Sequence, residues 1–293
     1  MNRRSVLAML LAGGGAGALA LAGCTPLTAF NALVPKDRGI IRVIEDAPFG
    51  PDPRQRLDIY RPISPARDLP IIVFFYGGSW NSGTRAGYAW VARALAARGF
   101  VVAVPDYRLV PEVRFPTFIE DGAAAVRLVS TIAESIGGDP DRIILAGHSA
   151  GAYNAAMLAY DERFLGRDRA RVKGFIGLAG PYDFLPLDGP ATRAAFERSP
   201  NLAATQPINV IDRADPPAFI GSANDDRTVR EKNSNSLAAR LLAAGVRVER
   251  VRYPGLGHIG ILTAVAKPWR GRASVLDDVT RFALEASQKP PGI

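Results

Sequence analysis

The chain has one cysteine and two histidines in 293 residues. A lone thiol, Cys24, cannot form a disulfide within the chain, so any folded domain must be held by its core. Two histidines, with no H-E-x-x-H or similar spacing, cannot build a usual zinc site. No glycine-rich phosphate loop is present, so neither nucleotide nor flavin is implied and no cofactor is expected. Charge of one sign is not segregated either. The formal charge is +8, but the arginines are scattered among acids. The densest group, Arg163, Arg167, Arg169, Arg171 and Lys173, is interleaved with Asp161, Glu162 and Asp168 and reads as a solvated loop, not a nucleic-acid patch. What is present is apolar residues, 48% against 22% charged, the balance of a globular protein with a sizeable core. There is no internal repeat.

The N-terminus stands apart. Arg3 and Arg4 precede an apolar run, Val6 to Ala22, which is short for a membrane span and weakened by glycines. It ends in Leu21-Ala22-Gly23-Cys24. The segment resembles a bacterial lipoprotein signal with its lipobox. That resemblance implies a signal peptide over 1–23, lipidation of Cys24, and a protein exported and tethered to a membrane. The cysteine is thereby excluded as a nucleophile. Residues 24–38 then read as a tether or cap segment.

From Gly39 to about residue 290 strands and helices alternate. Ile40 to Ile44 and Arg56 to Tyr60 read as an edge hairpin. Leu69 to Phe75 reads as a buried central strand, Phe100 to Val104 and Asp141 to Ala146 as further strands. Val172 to Leu178, Pro217 to Ile220 and Val246 to Tyr253 follow. Helices are expected over Tyr88–Arg98, Phe118–Ile136, Ala150–Tyr160, Glu231–Ala244 and Val275–Ala286. This is an α/β class chain with a mainly parallel sheet covered on both faces. One irregular insert, 183–216, carries Pro186, Pro190, Pro200, Pro207 and Pro216. With the tether it is expected to roof the active-site pocket.

Gly147-His148-Ser149-Ala150-Gly151 fits G-x-S-x-G and lies between a strand and a helix, as a nucleophile elbow must. A nucleophilic serine needs a base, a group that orients the base, and an oxyanion hole. His148 adjoins the serine and reads as packing. His258, in the glycine-rich stretch after the last strand, is left as the base. The acid is Asp226 or Asp225, after the strand ending near Ile220; Asp183 reads as a turn or cap residue. Tyr76-Gly77-Gly78-Ser79-Trp80, after the central strand, offers backbone amides for the hole, together with that of Ala150.

That loop resembles the H-G-G-G-W oxyanion motif of the α/β-hydrolase carboxylesterases, in the branch of hormone-sensitive lipase-like and ferulic-esterase-like enzymes. Asp106-Tyr107-Arg108-Leu109, Phe115-Pro116 and Asp121 are similar to the D-Y-R-L, F-P and D run of the same branch. The likeness covers about residues 55 to 285. It implies the α/β-hydrolase fold and hydrolysis of small to medium carboxylic esters through an acyl-enzyme. Ser149 is implied as nucleophile, His258 as base, and Gly77, Gly78 and Ala150 as oxyanion donors. The family's acid stands three residues before a valine, which selects Asp226 ahead of Val229. Two positions depart from the motif. Tyr76 replaces the histidine that braces the loop, and Ser79 replaces a glycine, narrowing the space beside the hole. An arylformamidase-like amidase uses a similar set of residues, and a non-catalytic module could share the fold.

Overall fold

The computed structural model describes residues 26–64 and 67–289. The leader over 1–23 and Cys24 lie outside the described residues. Eight strands form one sheet in the order β1-β2-β4-β3-β5-β6-β7-β8. Their ranges are β1 Ile40–Pro48, β2 Arg56–Pro62, β3 Leu69–Phe75, β4 Val101–Pro105, β5 Gly138–His148, β6 Val172–Leu178, β7 Ala218–Ala223 and β8 Val248–Tyr253. The pairs β1–β2 and β2–β4 are antiparallel, and the rest are parallel. Parallel strands are covered on both faces, which is why β3 is an unbroken apolar run; Ile71 to Phe75 are all buried.

The helices are α1 Pro26–Leu33, α2 Ala89–Ala96, α3 Thr117–Ile132, α4 Ala150–Tyr160, α5 Glu162–Leu165, α6 Pro190–Phe196, α7 Lys232–Ala243, α8 His258–Thr263 and α9 Val275–Ala286. Every residue of α4 is buried. A helix apolar all round belongs inside a layered fold, and the alanines of α4 let it lie close to the sheet. Gly151 takes this to its limit: a Cβ there would be 2.1 Å from the Phe75 carbonyl oxygen.

Several expectations need amending. The helix expected to run to Ile136 ends at Ile132 and tightens into a 3₁₀ turn, Ala133–Ile136, closed by Gly137 at φ 83°. The insert is more ordered than its prolines suggest, because α6 drives Phe196 into an aromatic cluster with Trp80, Phe118 and Tyr153. The segment before Gly39, read as a tether or cap, is docked as α1. Phe30 stacks on Trp269 and meets the edge of Trp90, a burial that stabilises by about 1.5–3 kcal/mol. Arg270 clamps Asp37 beyond it with bonds of 2.9 and 2.6 Å. The arginine cluster is not simply solvated: Arg163 binds the buried Asp161, and Arg169 reaches the buried Asp215 at 2.9 Å.

Candidate active site

Strand β5 ends at His148, and α4 begins at Ala150. Ser149 alone makes the turn, at φ 53° and ψ −125°. Such a backbone is strained for a residue with a Cβ and persists only where its surroundings enforce it. Here the flanking glycines do so. A Cβ on Gly147 would be 2.3 Å from the Gly151 carbonyl oxygen, so the chain could not fold back on itself so tightly. The Ser149 amide donates to the Leu178 carbonyl at 2.9 Å, which ties the turn to β6.

Three chain segments converge on this serine. Its Oγ lies 2.9 Å from His258 Nε2, and His258 Nδ1 lies 2.7 Å from Asp226 Oδ2. A carboxylate accepts only, so the Nδ1 proton faces Asp226 and Nε2 is left to accept from the serine hydroxyl. The other carboxylate oxygen, Oδ1, accepts from the amides of Thr228 and Val229, both at 2.8 Å. Burial raises the Asp226 pKa, but the His258 bond and these two amides outweigh it and hold the carboxyl below its ordinary value. Asp225 is exposed, and its amide donates to the Leu256 carbonyl. Asp183 is more than a turn residue: it pairs with Lys232 Nζ at 3.1 Å and accepts from Ser236 Oγ at 2.8 Å. The histidine expected in an irregular loop is instead the first residue of α8.

The loop after β3 is held open by its own strain. Gly78 has φ 132°, and Ser79 and Trp80 follow at 51° and 59°. Gly77 lies against the elbow; a Cβ there would be 3.0 Å from the His148 carbonyl oxygen and from Ser149 Cβ. Among the described residues the amides of Gly78, Ser79 and Ala150 donate to no protein group. Ser79 and Ala150 border the cavity above Ser149. Ser79, read from the sequence as narrowing the space beside the hole, lines the cavity.

Tyr76 takes up the bracing position. Its buried ring is stacked between Tyr88 and Tyr107, with centroids 5.2 and 4.9 Å away. Its hydroxyl donates to Asp106 Oδ1 at 2.6 Å and accepts from Arg54 at 3.1 Å. Burial first, and then the Asp106 charge, push its pKa well above the ordinary phenol value. Tyr107 in turn donates to the Tyr76 carbonyl at 2.9 Å.

The cavity beside Ser149 has a volume of about 490 Å³. Trp80, Phe184, Leu185 and Val229 supply apolar walls, and Asp183 and Lys232 a polar edge. The insert contributes one wall, as expected, but none of the described residues before Gly39 reaches it. Trp80 is fixed by an Nε1–H bond to Asn154 at 3.0 Å and by edge contact with Phe196.

Sheet order, elbow and the serine–histidine–aspartate line together define an α/β-hydrolase with a serine-hydrolase constellation. The chain belongs to the BD-FAE family, whose profile matches residues 57–241. Among curated relatives it is 32% identical over 252 residues to the carboxylesterase NlhH of Mycobacterium tuberculosis, covering 74% of each chain. It is 27% identical over 273 residues to a probable isoprenylcysteine alpha-carbonyl methylesterase of Arabidopsis thaliana, covering 83% of this chain. The chain spans 56% of the length of that relative and 63% of a similar one from Oryza sativa. Among solved structures, the thermostable carboxylesterase EstE1 from a metagenomic library superposes with a TM-score of 0.76 at 22% identity, covering 99% of both chains. A truncated carbohydrate esterase from gut microbiota gives 0.76 at 21%, covering 87% of this chain and all of that one. At that identity the structures speak for the fold.

Proposed function

We propose that the protein is a serine carboxylesterase that hydrolyses small to medium carboxylic esters through an acyl-enzyme. The observation that carries this is the unbroken line Asp226–His258–Ser149 ending at a cavity, on a chain whose relatives are named as esterases. Ser149 Oγ attacks the ester carbonyl carbon as its proton passes to His258 Nε2. The resulting oxyanion is met by the amides of Gly77, Gly78 and Ala150, joined by that of Ser79. Collapse of the intermediate breaks the C–O bond, and the alcohol leaves with the proton from His258. Water, deprotonated by His258, then releases the acid and restores the serine. Asp226 orients the imidazole and stabilises its charged form. A cavity of about 490 Å³, with charge at its edge, suits short acyl chains better than long ones. A fluorophosphonate probe tests the assignment. Labelling is expected at Ser149 in the wild type and absent in Ser149→Ala; a silent wild type would leave only a non-catalytic module.

We also infer that the domain is exported and held at a membrane surface by lipid on Cys24. The support is the lipobox-like Leu21-Ala22-Gly23-Cys24 after a basic and apolar leader. Among the described residues no helix is long and apolar enough to cross a membrane.

A further inference from the structure

His148 was expected to pack, yet its ring makes a polar contact with the base. It is the last residue of β5, paired in register with Leu178 of β6, and it is buried. Its Nε2 lies 2.9 Å from the main-chain carbonyl oxygen of His258, a residue 110 positions away. A carbonyl only accepts, so Nε2 carries the proton. The other nitrogen, Nδ1, has no partner among the described residues and faces Gly77, where a Cβ would be 3.1 Å away. The ring therefore holds one proton and is neutral. This matters because its centroid is 4.9 Å from that of His258, and a second positive charge there would oppose protonation of the base during turnover.

We propose that His148 is a positioning residue, which fixes the backbone of the base relative to the nucleophile. The inference rests on the roles given above to Ser149 and His258. Adjacent residues grip the two ends of one histidine: Ser149 Oγ meets the His258 ring, and His148 Nε2–H holds the His258 carbonyl. The stretch leading to His258 contains Gly255 and Gly257, with Gly255 at φ 67°. Glycine leaves such a backbone free to shift. A tether from the strand end that also carries the serine makes the Ser149–His258 separation independent of that freedom. A misplacement of about 1 Å at a reacting pair costs on the order of a hundredfold, so the bond acts on turnover and not on substrate binding.

Two measurements test this. The chain holds two histidines, so protein with ¹⁵N-labelled histidine shows two sets of ring signals. One set should remain in the neutral Nε2–H form from about pH 5 to 8, as a buried imidazole does. If both rings titrate in that range, or the neutral ring carries its proton on Nδ1, the proposal falls. The second measurement is kinetic, on a butyrate ester. His148→Phe, which keeps a planar ring and loses the donor, should lower kcat by about ten- to a hundredfold with KM nearly unchanged. His148→Gln, which returns an N–H donor, should recover most of that loss. Equal impairment in both variants would make the role one of packing alone, and an unchanged kcat in His148→Phe would remove it. If neither variant folds, the labelled wild type decides. A wild type inert to ester and probe would instead overturn the esterase reading itself, which the kinetic baseline detects first.

Discussion

Asp226→Asn should nearly abolish turnover by forcing the wrong imidazole tautomer, and the structure shows why the amide has no alternative pose. Asp226 Oδ1 accepts from the amides of Thr228 and Val229, both at 2.8 Å. These are donors only. An asparagine at this place must keep its carbonyl oxygen toward them, since turning its NH₂ there would set donor against donor. The NH₂ then occupies the position of Oδ2, 2.7 Å from His258 Nδ1. His258 answers by accepting at Nδ1 and carrying its proton on Nε2, the atom 2.9 Å from Ser149 Oγ. An Nε2–H cannot take the serine proton. The expected loss in kcat is about 10⁴-fold, equivalent to about 5.5 kcal/mol. The fold should be intact, because both amide bonds survive, and KM should change little. Steady-state kinetics on p-nitrophenyl butyrate, beside the rate of fluorophosphonate labelling, gives both numbers. Asp225→Asn, at an exposed residue, should stay within about twofold of wild type, as surface changes usually do. More than a hundredth of wild-type turnover in Asp226→Asn, or a larger loss in Asp225→Asn, would refute the reasoning.

Other expectations can be checked alongside. Burial, and then the neighbouring His258, lowers the His148 pKa to about 3, whereas a histidine in the unfolded chain titrates near 6.5. Below about pH 6.5 the unfolded chain therefore binds a proton that the folded one refuses. The resulting loss of stability grows down to about pH 3 and amounts to about 2 kcal/mol at pH 5. Urea unfolding of the wild type at pH 8 and pH 5 should show this extra loss relative to His148→Gln; equal losses would contradict it. Tyr76→Phe leaves Arg54 and Asp106 short of a buried partner and should lower stability by about 1–3 kcal/mol, with a fall in kcat as the loop loosens. Unchanged urea midpoint and turnover would deny the brace. Activity should decline from butyrate to long-chain esters, and preference for emulsified triglyceride would contradict the cavity's size. Cys24→Ser should release the protein from the membrane fraction, whereas unmodified Cys24 in membrane-bound protein, read by mass spectrometry, would remove the anchor.

Much of this architecture is local in origin and so was visible along the chain. A strand buried on both faces must be continuously apolar, as Ile71 to Phe75 is, and a helix enclosed on all sides must be small and apolar, as α4 is. The elbow is spelled out because close backbone approach at Gly147 and Gly151 tolerates no Cβ. With two histidines, one of them beside the serine, the choice of base was made by scarcity. Asp226 over Asp225 was a preference drawn from the family's spacing; the 2.7 Å contact with His258 is a fact of the folded loop.

What the chain order could not reveal were the contacts between residues far apart in sequence. Nothing local ties His148 to the carbonyl of His258, Tyr76 to Asp106 and Arg54, or Phe30 to a slot between Trp90 and Trp269. The buried Asp215 is met by Arg169, 46 positions before it, which nothing local in the sequence signals. The insert's prolines signalled irregularity, but not that Phe196 of α6 would pack against Trp80 and Phe118. Hydrophobic period and backbone sterics act over a few residues and are therefore written in the sequence. Polar partners and aromatic packing are settled by which surfaces the sheet order brings together, and that is decided only when the chain has closed.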